Sequence, residues 1–347
     1  LHCLFIAINN GFGYKCFQMI KRLSDHSIFT LVILLLFALC LRLPALWIIP
    51  KSGIVFKPGL LFSWVDWINQ WPVFSVLISA VIVMGQALFV NFICRTHGLV
   101  QPVGYLPAYF FILVQSLFPE NLLLTEYHLG NLLVFIGLAC FFQLKDGYNT
   151  VTLFYGSLCF GAAILIVPDH LMILLFLIAC VLVYKNIVIS DILAIVFGLV
   201  MPYYLMKSLA FIFRWDLKAM HSVETTPIDM TSFGSGISLI FIKYTVFALF
   251  SLFVIFGMLR QIGGYFQNNV NVRRSKLVVI LFFVYSIFLM LIHWKEIRNF
   301  HLLAAFPAAI FLASFFSGER IPWWKELLNY ILLGSLVYSL YSPSYTL

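Results

Sequence analysis

The residues best equipped for chemistry are few and widely spaced. Asp66 lies in GLLFSWVDWINQW, residues 59–71, where Ser63, Asp66 and Gln70 share one helical face and Trp64, Trp67 and Trp71 lie along another. A carboxylate on such a face can serve as general base for a substrate hydroxyl, or can be merely solvated. Arg298 and His301 open a late apolar run and, three residues apart, share a helix face. A guanidinium there suits a phosphate or pyrophosphate through two parallel hydrogen bonds, and suits a lipid headgroup equally well. Arg42 stands near the end of the first long apolar run. It either reaches out to polar headgroups or pairs, with a lipid phosphate or with Asp66. Lys243 sits about seven residues inside another apolar run. From that depth it needs a partner or a wet cavity, unless the run begins later.

His128, His170, His221 and His293 each have an acid within three residues. If folding gathered them they could bind a divalent cation, yet no spacing matches a ligand motif such as HExxH. Scattered boundary histidines are the simpler account. The seven cysteines contain no CxxC pair and fall mostly in apolar stretches, as small core residues do. No metal and no cofactor is expected.

The elements that must position these residues are apolar. Of 347 residues 63% are hydrophobic and 10% charged, against about 45–50% and 25% in soluble domains. Such a chain cannot clothe itself in polar groups, so hydrocarbon is its natural solvent. The expected fold is all-α: a polytopic membrane helical bundle of about eleven transmembrane helices. The spans are 28–49, 72–93, 103–118, 129–144, 150–167, 171–184, 187–212, 236–259, 277–292, 302–317 and 327–341, with ten or twelve as alternatives. Residues 59–71 read as one interfacial amphipathic helix after the first span. Pro44, Pro107, Pro168, Pro202 and Pro307 kink or break spans, and Asp191 caps the seventh.

Charge sets direction. With the N-terminus cytoplasmic, twelve Lys and Arg fall inside and seven outside, and Arg273-Arg274-Lys276 is the firmest anchor loop. Eight of the thirteen acids fall outside, so polar chemistry gathers at the outer face. The net charge of +8 sits in short loops and not on one surface, which argues against a nucleic-acid partner.

Residues 1–18 have no helix cap or clear period, whereas Met19-Ile-Lys-Arg-Leu looks like a cytoplasmic start. They are read as an N-terminal extension from a misplaced start codon, with 19–347 a single integral-membrane helical domain. The following apolar run is too long for a signal-peptide core and lacks a small-x-small cleavage site, so it stays attached.

Several stretches together carry a resemblance. They are Arg42-Leu43-Pro44, FICRTHGLVQPVGYLPAYFFILVQSLFPENLLLTEYHLGNLLVFIGLACFFQL at 92–144, FYGSLCFGAAILIVPDHLMILLFLIACVLVYK with FGLVMPYYL, and RNFHLLAAFPAAIFLASFF. Over residues 19–320 the chain resembles an uncharacterised family of polytopic inner-membrane proteins of Bacteroidota, which carries no assigned activity. The resemblance implies a Gram-negative inner membrane and brings no catalytic residues. More distantly, the layout is similar to multi-span glycosyltransferases that use polyprenyl-phosphate sugars, where Asp66 and Arg298 would correspond to an outer-loop acid and a late basic residue. The first outer loop here is short, no second acid accompanies Asp66, and no large outer domain follows.

The leading functional expectation is a non-catalytic membrane subunit of an envelope machine for secretion, motility or lipid export. The alternative is a glycosyltransferase-like enzyme acting on a lipid-linked sugar or other phosphate-bearing lipid at the outer face. Expected partners are membrane lipids and other inner-membrane proteins. A transporter is disfavoured by the few intramembrane charges and the lack of a repeated half. If translation starts at Met19, peptide mapping of the native protein recovers nothing from residues 1–18. Any peptide from within that stretch refutes the assignment.

Overall fold

The computed structural model describes residues 19–23, 28–48, 62–101, 104–144, 149–184, 188–213, 237–293, 297–318 and 322–341. The side chains of Asp66, Lys243 and Arg298 lie outside that description although their backbones are helical, and His221 and residues 1–18 lie outside it altogether. Among the described residues there is no strand. The helices are α1 (Met19–Leu23), α2 (Ile28–Arg42), α3 (Ala45–Ile48), α4 (Phe62–Asn69), α5 (Pro72–His97), α6 (Leu106–Gln115), α7 (Glu126–Gln143) and α8 (Thr150–Ile166). They continue with α9 (Ile173–Tyr184), α10 (Ile189–Phe213), α11 (Ile237–Gly263), α12 (Val270–Ile292), α13 (Ile297–Phe316) and α14 (Trp323–Tyr341). Every apolar run read from the sequence carries a helix. Five regions are long and apolar enough to cross a membrane: Pro72–His97, Ile189–Phe213, Thr245–Gly263, Val270–Ile292 and Asn299–Phe316.

Local chemistry fixes the helix ends. Pro72 enters α5 in its first turn, where a missing N–H costs nothing. Gly98 ends α5 at φ 62°, and its N–H donates to Cys94 O. Asn149 caps α8 by accepting from Val151 N at 2.9 Å. Asp191 behaves as expected of a cap, its Oδ2 accepting from Val188 N at 3.0 Å. Arg273, Arg274 and Lys276 prove to lie within α12 and not in a loop. Asn269 precedes the helix and its first turns are polar, so the helix begins before its apolar stretch does.

The core is built around α6 and α13. All ten residues of α6 are buried, and α13 is buried from Phe300 to Ala313. α6 packs mainly on α13 and α5, while α11 and α12 close over α13. Phe110 stacks on Phe316 with ring centroids 5.0 Å apart, and Phe282 meets Phe306 edge to face at 5.8 Å. α10 is peripheral, leaving Phe197, Tyr204, Phe211 and Ile212 exposed. Apolar side chains displayed on this scale belong to a membrane protein, whose surroundings are hydrocarbon.

Without water to drive helices together, close contact depends on small residues. A Cβ on Gly161 of α8 would stand 2.5 Å from Leu199 O of α10, and one on Gly198 of α10 would stand 2.7 Å from Phe154 O. A Cβ on Gly257 of α11 would collide with Phe311 O of α13.

At one end of the bundle cations close the C-terminus of α13. Arg260 Nη1 donates to Ser314 O, Phe315 O and Ser317 O at 2.6–2.8 Å, and Lys325 Nζ donates to Phe315 O. Both neutralise the negative end of that helix dipole. At the same end Glu326 accepts from Ile20 N at 3.1 Å and Tyr105 N donates to Leu23 O at 2.7 Å, docking α1.

Replacing Gly161 or Gly257 by Ala forces its helix pair apart. Each should lower thermal stability in detergent by about 1–3 kcal/mol, the usual penalty of overpacking. Gly263→Ala, with nothing within 4 Å of its Cβ, should leave it unchanged or slightly raised.

Candidate functional site

The opposite end of the bundle holds the polar interior. α6 has only ten residues, about 15 Å of helix, half the thickness of a bilayer core. Beyond it the chain runs through Ser116–Phe118, a 3₁₀ turn at Pro119–Leu122 and extended residues to Thr125, where α7 begins. Ser116–Phe118 and Asn121–Thr125 are buried. Irregular backbone inside a membrane bundle must find its hydrogen bonds within the protein.

α5 supplies most of them. Ser75, Ser79 and Gln86 recur at helical spacing on one face of an otherwise apolar helix. Ser79 Oγ donates to Leu122 O at 2.8 Å, and Leu124 N donates to Ser75 Oγ at 3.0 Å. Ser75 Oγ in turn donates to Asn69 Oδ1 at 2.5 Å, and Asn69 Nδ2 donates to Leu124 O at 3.2 Å. Asn69 ends α4, so the amphipathic helix is stapled to the unwound segment. About two turns further along α5, Gln86 Nε2 donates to His128 O at 2.5 Å.

α7 and α13 form the other walls. At the start of α7, Thr125 and His128 cap each other. Thr125 N donates to His128 Nδ1 at 3.3 Å, and Thr125 Oγ1 lies 2.7 Å from the same nitrogen. From α13, His301 Nδ1 is 3.3 Å from Asn121 Nδ2 and its ring meets Phe118 edge to face at 4.6 Å. Gln115 Nε2 reaches Leu302 O at 3.5 Å. Phe300 gathers two more histidines, stacking on His293 at 4.7 Å and meeting His170 edge to face at 6.4 Å.

Arg42 is the charge in this interior. It is 1% exposed, and Nε, Nη1 and Nη2 have no hydrogen-bond partner among the described residues. It lies close enough to His128 to act on it electrostatically, as does His301. The reading of Arg42 as a side chain reaching for headgroups is therefore corrected. It closes α2 just before the break at Leu43-Pro44, and packing of α2 and α3 on α5 turns the guanidinium inward. His301 is likewise enclosed, at 2% exposure, and does not present itself to headgroups.

Of the residues singled out by sequence, Arg42 and His301 both lie within electrostatic reach of His128. His170 and His293 meet through Phe300 close by. The side chains of Asp66, Arg298 and Lys243 lie outside the described residues, although Asp66 is on α4 and Arg298 opens α13. The Trp64, Trp67 and Trp71 stripe is exposed as expected, and the helix is shorter than residues 59–71. Among the described residues no group of three or more His, Cys, Asp or Glu is placed to hold a metal ion. The sequence reading passed over Ser75, Ser79, Gln86, Asn121 and Asn131. The signal was there in the periodic polar face of α5 and in lone amides within apolar runs, since a buried amide in such a helix needs a reason.

Comparison with protein-family models, curated proteins and solved structures gives no match.

Ser79→Ala leaves Leu122 O buried without a donor. It should cost about 1–3 kcal/mol of stability in a detergent melt. Ser208→Ala, which removes an exposed bond to Tyr204 O, should change the melt little.

Proposed function

We propose that this chain is an eleven-span inner-membrane protein, N-terminus cytoplasmic, that holds the phosphate of a phosphate-bearing lipid at the outer membrane face. In this orientation the Arg42 end of the bundle is the outer end. The observation that carries the reading is Arg42, enclosed with all three guanidinium nitrogens unpartnered. An unpaired cation in a low-dielectric interior costs several kcal/mol, and an incoming oxyanion removes that cost. Indoles favour the headgroup layer, and the exposed tryptophans of α4 lie on the helix that Asn69 ties to the unwound segment, which supports this reading. A lipid approaching from the side would meet α4 first and Arg42 beyond it.

On this reading the chain handles a lipid-linked sugar or related lipid in the manner of the multi-span glycosyltransferases, with Asp66 as general base and Arg298 as a second phosphate contact. Kinship with the polytopic inner-membrane family of Bacteroidota belongs to the same proposal. A second reading, a non-catalytic subunit of an envelope machine, is favoured by α10. Its long exposed apolar face offers a neighbouring membrane protein a flank that the bundle itself leaves open.

Arg42→Gln tests the first reading in the native host. Lipid-linked intermediates should accumulate in its membranes, and the phosphate-bearing lipid copurifying with the chain should fall at least about tenfold, the effect of losing roughly 1.4 kcal/mol. A wild-type lipid profile with undiminished copurifying phosphorus would overturn the reading.

A further inference from the structure

We infer that the start of α12, at the end of the bundle away from Arg42, docks the headgroup of an anionic phospholipid in the adjacent leaflet. The inference goes beyond the function proposed above and can fail without it.

The connection from α11 to α12 runs through a 3₁₀ turn at Tyr265–Gln267 to Asn269, where α12 begins. A Cβ on Gly98 would stand 3.6 Å from Val272 Cγ2, and Gln261 Nε2 donates to Leu99 O at 3.2 Å. The ends of α5 and α11 and the start of α12 therefore meet. Residues 263–276 carry Arg273, Arg274 and Lys276 and no acid. The loops that leave α7 and α13 hold one charge of each sign, Lys145 with Asp146 and Arg320 with Glu319. They leave the local excess of positive charge as it is.

Helix physics opposes this placement. All three cations lie in the first two turns of α12, and Arg273 and Lys276, three apart, share a face. The N-terminus is the positive end of the helix dipole, where cations destabilise and an acid is preferred. α12 has no acid in its first turn, and Asn269 gives it no side-chain cap. Arg260 and Lys325, by contrast, are taken up by the carbonyls that close α13. Arg273, Arg274 and Lys276 make no side-chain hydrogen bond or ion pair among the described residues, and Arg273 Nε is buried without a partner. The two arginines are half-buried and Lys276 is 9% exposed, so none is simply solvated.

The second observation is apolar. Phe266, in the turn just before α12, is 82% exposed, and Val270 is exposed in the first turn. α12 itself is long and apolar enough to cross a membrane. An exposed phenyl beside cations at the mouth of such a helix is the composition of a segment that binds acidic lipid. An anionic headgroup supplies acceptors for the three cations and for the open N–H groups of the first turn. A soluble anion meets the charge but leaves Phe266 in water, so a lipid is the occupant this surface fits.

The test uses the full chain in nanodiscs of dioleoyl-phosphatidylcholine, alone or mixed with dioleoyl-phosphatidylglycerol. Arg273→Gln, Arg274→Gln and Lys276→Gln are made together, since Gln keeps the helix propensity. In phosphatidylcholine the variant should melt no lower than wild type, because cations leave the positive end of a helix. In the mixture wild type should melt higher than the variant, a reversal that a purely structural role does not produce. Native mass spectrometry should show phosphatidylglycerol held on wild type about tenfold more strongly than phosphatidylcholine, a preference the variant loses. Phe266→Ser, a surface change, should lower that preference in part. A preference that survives the triple substitution puts the lipid elsewhere and overturns the inference, leaving the reading of Arg42 untouched. Equal retention of the two lipids by wild type also overturns it. A variant that melts lower in phosphatidylcholine gives the cations a structural role and does the same. Full displacement of the lipid by inorganic phosphate, with Phe266→Ser silent, overturns the lipid assignment.

Discussion

A guanidinium shut away from water, with no hydrogen-bond partner among the described residues, is the constraint around which this end of the structure is read. In a bilayer-spanning helix even a well-placed arginine costs about 2.5–3.5 kcal/mol, and pairing is the usual remedy. Arg42 ends α2, which packs on α5, and it is buried, yet its nitrogens have no hydrogen-bond partner among the described residues. The neighbouring groups are arranged so as not to quench it. His128 has its acceptor nitrogen occupied by Thr125, and Gln86 spends its amide N–H on His128 O. Other buried polar atoms at this end, His128 Nε2 and both ends of the Asn131 amide, are likewise without a partner among the described residues.

The polar interior goes with the early end of α6. The chain unwinds after Gln115, and freed carbonyls and N–H groups are taken up by Ser75, Ser79 and Asn69. Unwinding is tolerable because α5 carries hydroxyls at the right spacing and α4 is anchored by Asn69. The glycine contacts between α8 and α10 and between α11 and α13 bear the packing elsewhere, and Arg260 with Lys325 seals the far end of α13. One end of the bundle is thereby closed and the other left chemically open.

Much of the fold was legible because apolar run length is a direct consequence of the solvent. Each run carries a helix, Asp191 caps its helix, and the tryptophans of α4 are exposed. The depth of Arg42 was not legible. Linear position puts it at a helix end, where an arginine in a lone helix would reach for headgroups, and only the packing of neighbouring helices reverses that. The length of α6 was hidden for a related reason. Pro119-Glu120-Asn121 marks a break, and the third span read from the sequence ends at 118, but nothing local announces that the unwound backbone stays buried and is satisfied by α5. The spacing of Ser75, Ser79 and Gln86 held that information, but its meaning depends on which helix lies opposite.

The most direct measurement is a high-resolution density map of the protein taken from native membranes without delipidation. The account predicts non-protein density of tetrahedral shape within about 3 Å of the Arg42 guanidinium. A carboxylate of the chain itself seated on Arg42 would contradict it, because the charge would then be balanced from within and no ligand would be required.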